Sequence, residues 1–306
     1  MLVGMSEKIT KISVVGLENA GKTSLVKTLF RTYDIGESIS PTKNVERTNF
    51  SLWGSEGGIW DYGGQEMYRK SYLEKPMRYF SEIQFLFFVV DIQDTPRYSK
   101  ALDYFEEVYR HASSLTKNLS VVILFHKFDP EIDIEKFSQH TDNLGKEVRH
   151  IVESNELLLF KTSIYDPISI LEAFSKPILG SSPIYNANSV LFANFAMDHD
   201  VEYITLIVDD LFELGSFKIQ NVDQDFIKAT MQFYQEFARL DKEDNQEFEL
   251  ENYQFVIYKG SYNDYKYSLN LCYPSDTDGS VPKETDIKAL MDKVENNFKE
   301  YQPEFY

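Results

Sequence analysis

The sequence predicts an α/β chain: a mostly parallel six-stranded sheet covered by helices on both faces, followed by a smaller α+β unit. Three observations carry this. Near-continuous apolar runs at 11–15, 85–91, 121–126 and 157–162 are separated by stretches of helical periodicity, as strands buried on both faces require. The first run ends in Gly16-Leu17-Glu18-Asn19-Ala20-Gly21-Lys22-Thr23, a G-x-x-x-x-G-K-[ST] loop leading into a helix. After Pro177, Gly180, Ser181, Ser182 and Pro183 the alternation of strand and helix gives way to a different order.

Taken in order, residues 24–30 read as the helix after the loop, and 48–53 with 58–60 as a hairpin turning at 54–57. Residues 99–111 and 144–152 have helical spacing, and 168–174 reads as a closing helix, so the first domain is expected to span 1–177. A linker is placed at 178–183 and a second domain at 184–306. That domain is expected to hold helix 186–197, strands 202–208 and 216–220 turning around Leu214-Gly215, and helix 223–240. An acidic lead-in at 241–249 comes next, then strands 253–258 and 265–273 joined by 260–264, a polar loop with Asp276, Asp278 and Gly279, and helix 284–301.

The chain has 306 residues, of which 42% are hydrophobic, enough for two cores. Its net charge of −18 divides as −4 over residues 1–177 and −14 over 178–306. An acidic second half argues against nucleic-acid binding and against anionic membrane surfaces, both of which need clustered Lys and Arg. The single cysteine, Cys272, excludes an intrachain disulfide and suits a strand interior. No apolar run is long enough to span a bilayer. The start Met1-Leu2 and the end Glu304-Phe305-Tyr306 carry no lipidation signal, and Met1 to Met5 is too short for an amphipathic anchor. The expectation is a cytoplasmic protein with no membrane anchor of its own, recruited to a membrane surface by a partner if at all. His111, His140, His150 and His199 lack metal-ligand spacing and read as structural or solvated.

The chemistry begins at the loop. Backbone N–H groups from Glu18 to Ser24 can surround phosphate oxygens at the helix N-terminus, with Lys22 reaching the terminal phosphates and the Thr23 hydroxyl ligating Mg²⁺. Taken alone, the loop leaves ATPase, kinase and GTPase open. Trp60-Asp61-Tyr62-Gly63-Gly64-Gln65 adds a carboxylate at a strand end to hold the metal, a glycine N–H for the γ-phosphate and a glutamine to orient water. His126-Lys127-Phe128-Asp129 follows an apolar strand. Its carboxylate can accept both N1–H and the exocyclic amine of guanine, a donor pair adenine lacks, and the Lys127 stem can lie along the purine. Thr162-Ser163-Ile164 adds backbone donors for guanine O6.

These segments resemble the Ras-like small GTPases, in two branches at once. The phosphate loop and the WDxGGQ-type segment are similar to the Arf family, and the step from Thr42 to Asp61 fits the Arf pattern. HKFD at 126–129 and TSIYD at 162–166 resemble the Rag/Gtr GTPases, which also carry a C-terminal roadblock domain with the element order read after residue 183. The resemblance implies GTP/GDP and Mg²⁺ as cofactors and Thr42 as the switch I threonine and metal ligand, with Thr48 as the fallback. Gln65, Lys22 and Thr42 become the catalytic set. Implied partners are a second copy or another roadblock-bearing GTPase, roadblock/longin scaffold proteins, and GAP- and GEF-type regulators. The alternatives are a GTP/GDP-binding scaffold with negligible hydrolysis and an Arf-like membrane-traffic GTPase. Two departures stand out. His126 replaces the asparagine that ties the base loop to the phosphate loop. Glu18 replaces a glycine, which crowds an arginine finger, repels the γ-phosphate if it points inward, and predicts slow turnover. Arg47 and Arg69 are read as surface residues.

Overall fold

The computed structural model describes residues 10–32, 36–52, 55–152, 156–219, 223–237, 245–263, 265–276 and 281–301. Met1 to Met5 and Glu304 to Tyr306, read as carrying no anchor, the hairpin tip at 53–54, and Asp278 with Gly279 lie outside them. The chain divides into two compact units, 1–164 and 165–306.

The first unit holds one six-stranded sheet in the order β2-β3-β1-β4-β5-β6. Its strands are β1 (Thr10–Gly16), β2 (Val45–Leu52), β3 (Ser55–Tyr62), β4 (Phe85–Asp91), β5 (Ser120–His126) and β6 (Leu157–Thr162). All neighbours are parallel except the β2–β3 hairpin. β5 is buried at every position and β4 is buried over Leu86–Val90, which is why both read as unbroken apolar runs. The helices are α1 (Lys22–Leu29), α2 (Glu66–Glu74), α3 (Pro76–Tyr79), α4 (Tyr98–Leu115) and α5 (Ile134–Ile151). One side of the sheet packs Phe88, Val90 and Ile123 against Tyr104, Phe105 and Val108 of α4 and Leu144 and Val148 of α5.

The sequence missed α2 and α3, and the reason is physical. α2 buries only Arg69 and Tyr72, so its buried side carries a charged residue where an apolar one signals a helix. The hairpin is longer than expected. Ser55–Gly57, read as turn, pair with Phe50–Leu52 in the ladder.

The second unit contains helices α6 (Pro167–Leu179), α7 (Pro183–His199), α8 (Gln224–Phe237) and α9 (Glu284–Tyr301) with strands β7 (Tyr203–Val208), β8 (Phe212–Lys218), β9 (Gln246–Leu250), β10 (Tyr253–Tyr262) and β11 (Tyr265–Pro274). Its sheet runs β8-β7-β11-β10-β9, antiparallel throughout. Cys272 is fully buried in β11. Helix α6, read from the sequence as closing the first domain, is grouped with this unit. Its Ser175 hydroxyl accepts the Glu213 N–H of β8 at 2.8 Å. Pro177 sits inside α6 two residues before its end rather than in a linker. Leu214 and Gly215 lie within β8, and the turn before it is made by Asp209 and Asp210, both left-handed at φ 50° and 57°. Gly215, at φ 127°, lies so close to α7 that a Cβ would stand 2.5 Å from Asn188 Cβ. The acidic stretch before β10 includes strand β9, where Phe248 is half-buried between exposed Glu247 and Glu249. The charge hid the period-two pattern.

Candidate nucleotide and metal site

Topology assembles this site. The carboxyl ends of β1, β3, β4, β5 and β6 line one edge of the parallel sheet, bringing Gly16, Asp61, Asp91, His126 and Thr162 together, and the chain moves to opposite sides of β1 to form β3 and β4. The loop from β1 turns into α1 through Gly21, left-handed at φ 89°. Gly16 is needed for close approach, because a Cβ there would stand 2.5 Å from the Val89 carbonyl oxygen.

Lys22 is buried, and its Nζ donates to the carbonyls of Gly16 at 3.1 Å and Leu17 at 2.7 Å. Burial lowers its pKa to about 8, against the opposing attraction of Asp61 and Glu18. The ammonium therefore remains charged near neutrality yet is bonded only to neutral carbonyls, an arrangement suited to receive an anion.

Next to it three oxygens converge. Thr23 Oγ1 donates to Asp61 Oδ2 at 2.6 Å, Thr42 Oγ1 lies 2.8 Å from Thr23 Oγ1, and Thr42 Oγ1 is 3.1 Å from Asp61 Oδ2. Asp61 Oδ1 is buried with no hydrogen-bond partner. Burial raises the Asp61 pKa, partly offset by the Thr23 hydrogen bond and by Lys22. Two hydroxyls, one carboxylate and an unsatisfied carboxylate oxygen suit a small hard cation that takes few protein ligands and completes its shell with phosphate and water. Thr48 is exposed on β2, whose pairing to β3 places it opposite Ile59. The structure thus brings Thr42, and not Thr48, to Thr23 and Asp61.

Gly64 lies directly on the phosphate loop. A Cβ there would overlap the Leu17 carbonyl and the Glu18 nitrogen. Gln65, half-buried, is the N-cap of α2, so its side chain stands at the start of that helix next to Gly64. Within the loop Asn19 is left-handed at φ 62°, Ala20 is buried, and Ser24 occupies the first turn of α1.

The part of the site that follows β5 is equally defined. Lys127 adopts a left-handed conformation, φ 62°, of the kind a non-glycine residue holds only where its surroundings enforce it. Its Nζ bonds Asp91 Oδ2 at 2.6 Å, and Phe128 N–H donates to the Thr162 carbonyl at 3.0 Å. Asp129 accepts from Ser163 Oγ at 2.6 Å on Oδ1 and from Gln93 Nε2 at 2.8 Å on Oδ2. Each oxygen keeps a lone pair, so the carboxylate can still accept from a guanine edge. Gln93, which also donates to the Lys127 carbonyl at 2.8 Å, was not legible from sequence because nothing in its type marks it. The Ser163 hydroxyl is thus held on Asp129, and Ile164 follows it as the last residue of the first unit.

His126 resolves the first departure. A Cβ on Gly21 would stand 2.5 Å from its Cδ2 and 2.8 Å from its Nε2, so the ring edge lies flat against the phosphate loop while Nδ1 meets Thr162 Oγ1 at 3.0 Å. The imidazole thereby bridges loop, β5 and β6. Burial, reinforced by Lys127, lowers its pKa from 6.5 to about 3, so it is neutral in the fold. The unfolded chain gains a proton on this ring below about pH 6.5 and the folded chain does not. His126 therefore contributes stability that is present above pH 6.5 and lost as pH falls toward 3. His126→Asn should flatten that part of the pH dependence. Urea midpoints at pH 7.5 and 4.5, followed by tryptophan fluorescence, would show the same pH difference in both proteins if this is wrong.

Glu18 resolves the second. Its carboxylate is turned into the protein, with Oε1 3.0 Å from Arg97 Nη1 and Oε2 3.7 Å from Arg69 Nη2. Arg69, read as a surface residue, is buried, whereas Arg47 lies on exposed β2 over the Trp60 ring. His111, His140 and His199 stack on or abut aromatic rings, in keeping with structural roles.

A model of the Gtr1/RagA G protein conserved region matches residues 11–238, which runs from the first strand through α8. ADP-ribosylation factor-like protein 6 of Caenorhabditis elegans is 32% identical over 128 residues, covering 42% of this chain and 65% of that protein. GTP-binding protein GTR1 of Saccharomyces cerevisiae is 26% identical over 180 residues, covering 56% of this chain and 57% of that protein. Ras-related GTP-binding protein A of Dictyostelium discoideum is 24% identical over 221 residues, covering 70% and 72%. The chain thus spans a little under two thirds of the factor-like protein it matches. With the phosphate loop, Thr23, Thr42, Asp61 and Asp129 gathered at one sheet edge, and a family match across most of its length, the chain belongs to the Gtr1/RagA G protein family.

Proposed function

We propose that the protein is a guanine-nucleotide switch that binds GTP and GDP with Mg²⁺ and hydrolyses GTP slowly. The observation that carries this reading is the convergence of Thr23, Thr42 and Asp61 oxygens within 3.1 Å beside a buried Lys22, on the same sheet edge as Asp129. Mg²⁺, when bound, neutralises charge on the phosphates and orients them. Lys22 and the N-terminus of α1 hold the phosphates, Asp129 selects guanine, Gly64 offers its N–H to the terminal phosphate, and Gln65 orients the attacking water. Thr42 and Gly64 belong to different segments that meet at one site, so losing the terminal phosphate would release both together.

The output of such a switch is binding. We assign partner pairing to the antiparallel second unit as a roadblock-like module, in a homodimer or with a second GTPase of the same build. Scaffold proteins of roadblock/longin type and exchange and activating factors act on it in a cytoplasmic setting, and a partner supplies any membrane contact. Among the described residues no helix is long and apolar enough to cross a membrane. The test is single-turnover GTP hydrolysis with Gln65→Leu beside the parent, on protein whose co-purified nucleotide and native mass are measured first. A parent rate lowered at least about tenfold by the substitution is expected, the cost of one positioned water. A rate indifferent to Gln65 favours the scaffold reading, and a purely monomeric native mass removes the pairing role.

A further inference from the structure

Switch function at Gly64 requires that its peptide be aimed, and one cluster of charged side chains is placed to do this. Arg69 Nε donates to the Gly64 carbonyl at 2.9 Å. Its guanidinium lies over the Tyr104 ring of α4, 5.0 Å from the centroid, and the residue is 7% exposed. Arg69 Nη2 and Glu18 Oε2 are both buried without a hydrogen-bond partner and face each other at 3.7 Å. The far side of Glu18 is gripped twice by Arg97 Nη1, at the carboxylate at 3.0 Å and at the backbone carbonyl at 3.3 Å, and Arg97 is in turn paired with Asp94.

Such an arrangement has a cost that must be offset. A buried guanidinium nitrogen facing a buried carboxylate oxygen stabilises only as a pair, because removing one charge strands the other. Both partners also act on backbone. Arg69 fixes the Gly64 carbonyl, and Glu18 is itself the residue on which Gly64 rests. Fixing the orientation of the 64–65 peptide fixes both the Gly64 carbonyl and the start of α2, where Gln65 stands. The planar fork of arginine is suited to this double task, since it can address a carbonyl and a carboxylate at once.

We propose that Arg69 is a positioning residue which, anchored on Glu18 and braced by Arg97, latches the start of α2 to the phosphate loop and sets Gly64 and Gln65 for hydrolysis. Glu18 in this role is neutralised by protein groups and turned away from the phosphates. It is the receiving half of the latch, and it supports hydrolysis by holding Arg69, and through it Gly64, in place.

The latch rests on the switch reading above, and its test separates the two. Arg69→Gln, Glu18→Gln and the double variant are compared with the parent in single-turnover hydrolysis, GDP affinity, and hydrogen exchange of the 63–74 amides with and without nucleotide. Each single variant should lower the hydrolysis rate by roughly tenfold, as loss of orientation does, while GDP affinity stays within about twofold. The double variant should be no slower than the slower single one, since both remove the same pair. Exchange at 64–69 should rise in all three. A parent-like rate in Arg69→Gln, effects that multiply in the double variant, or GDP affinity falling in step with rate would each overturn the latch. If the parent binds no guanine nucleotide, the switch reading fails, and hydrogen exchange in buffer alone still decides whether the pair holds α2.

Discussion

Gly64→Ala should abolish most GTP hydrolysis while leaving GDP binding nearly intact. The added methyl would overlap both the Leu17 carbonyl and the Glu18 nitrogen, which are backbone atoms of a loop already held by Lys22 and cannot yield as a flexible side chain could. Gly64 must therefore move off the loop, carrying its N–H and the adjoining Gln65 away from the terminal phosphate. Losing an aimed backbone donor and a positioned water together corresponds to a drop in rate of roughly 100-fold or more, about 2.7 kcal/mol at the transition state. GDP lacks the phosphate that Gly64 would contact, so its affinity should change by no more than about threefold. Single-turnover hydrolysis and fluorescent-GDP titration measure the two quantities, and a variant that hydrolyses normally would show that Gly64 has no part in the reaction.

Asp129→Asn should change which base is held. Both oxygens of Asp129 already accept protein hydrogen bonds, from Ser163 and from Gln93, and the remaining lone pairs are what a guanine edge can use. An amide in this position turns one acceptor into a donor. It then either meets the Gln93 amide donor to donor or, turned toward Ser163, whose hydroxyl can accept, presents an N–H in place of an oxygen to one of the two guanine donors, N1–H or the exocyclic amine. Hydrogen bonds to a charged group contribute about 1.5–3 kcal/mol each, so guanine affinity should fall by roughly 100-fold or more. A purine with a carbonyl in place of that amine offers the complementary acceptor, so xanthine nucleotides should gain what guanine nucleotides lose. Competition among GDP, XDP and ADP for the parent and the variant reads this directly. An equal loss for every base would mean that Asp129 only supports the loop.

How much could be read before folding differs from residue to residue. The positions of the phosphate loop, Asp61, Gln65 and Asp129 at the sheet edge were legible because they depend on local spacing: a strand end, a tight turn and a side chain a fixed number of positions on. The near-unbroken apolar strands were legible for a similar reason, since burial on both faces leaves little room for polar residues. Helix α2 and strand β9 were not, because a buried arginine in one and exposed glutamates in the other conceal the periodicity that burial would otherwise show. The turn before β8 was misplaced onto Gly215. Asp209 and Asp210 take the left-handed conformations, and Gly215 is required for packing against α7.

By itself, the sequence determined the residue types that can grip a phosphate, a small cation and a guanine edge, and the order in which the chain presents them. Only the tertiary structure decided that Thr42 rather than Thr48 joins Thr23 and Asp61, that Gln93 shares Asp129, and that a neutral His126 fills the gap between Gly21 and Thr162. It also decided the fate of Glu18. From the motif this side chain was an acid beside the phosphates. In the fold it is paired with Arg69 and Arg97, which lie 51 and 79 positions further along the chain. The reason is common to all of these. Spacing along the chain fixes contacts within a turn or a strand, whereas the electrostatic state of a buried group is set by whichever distant segments the sheet order brings against it.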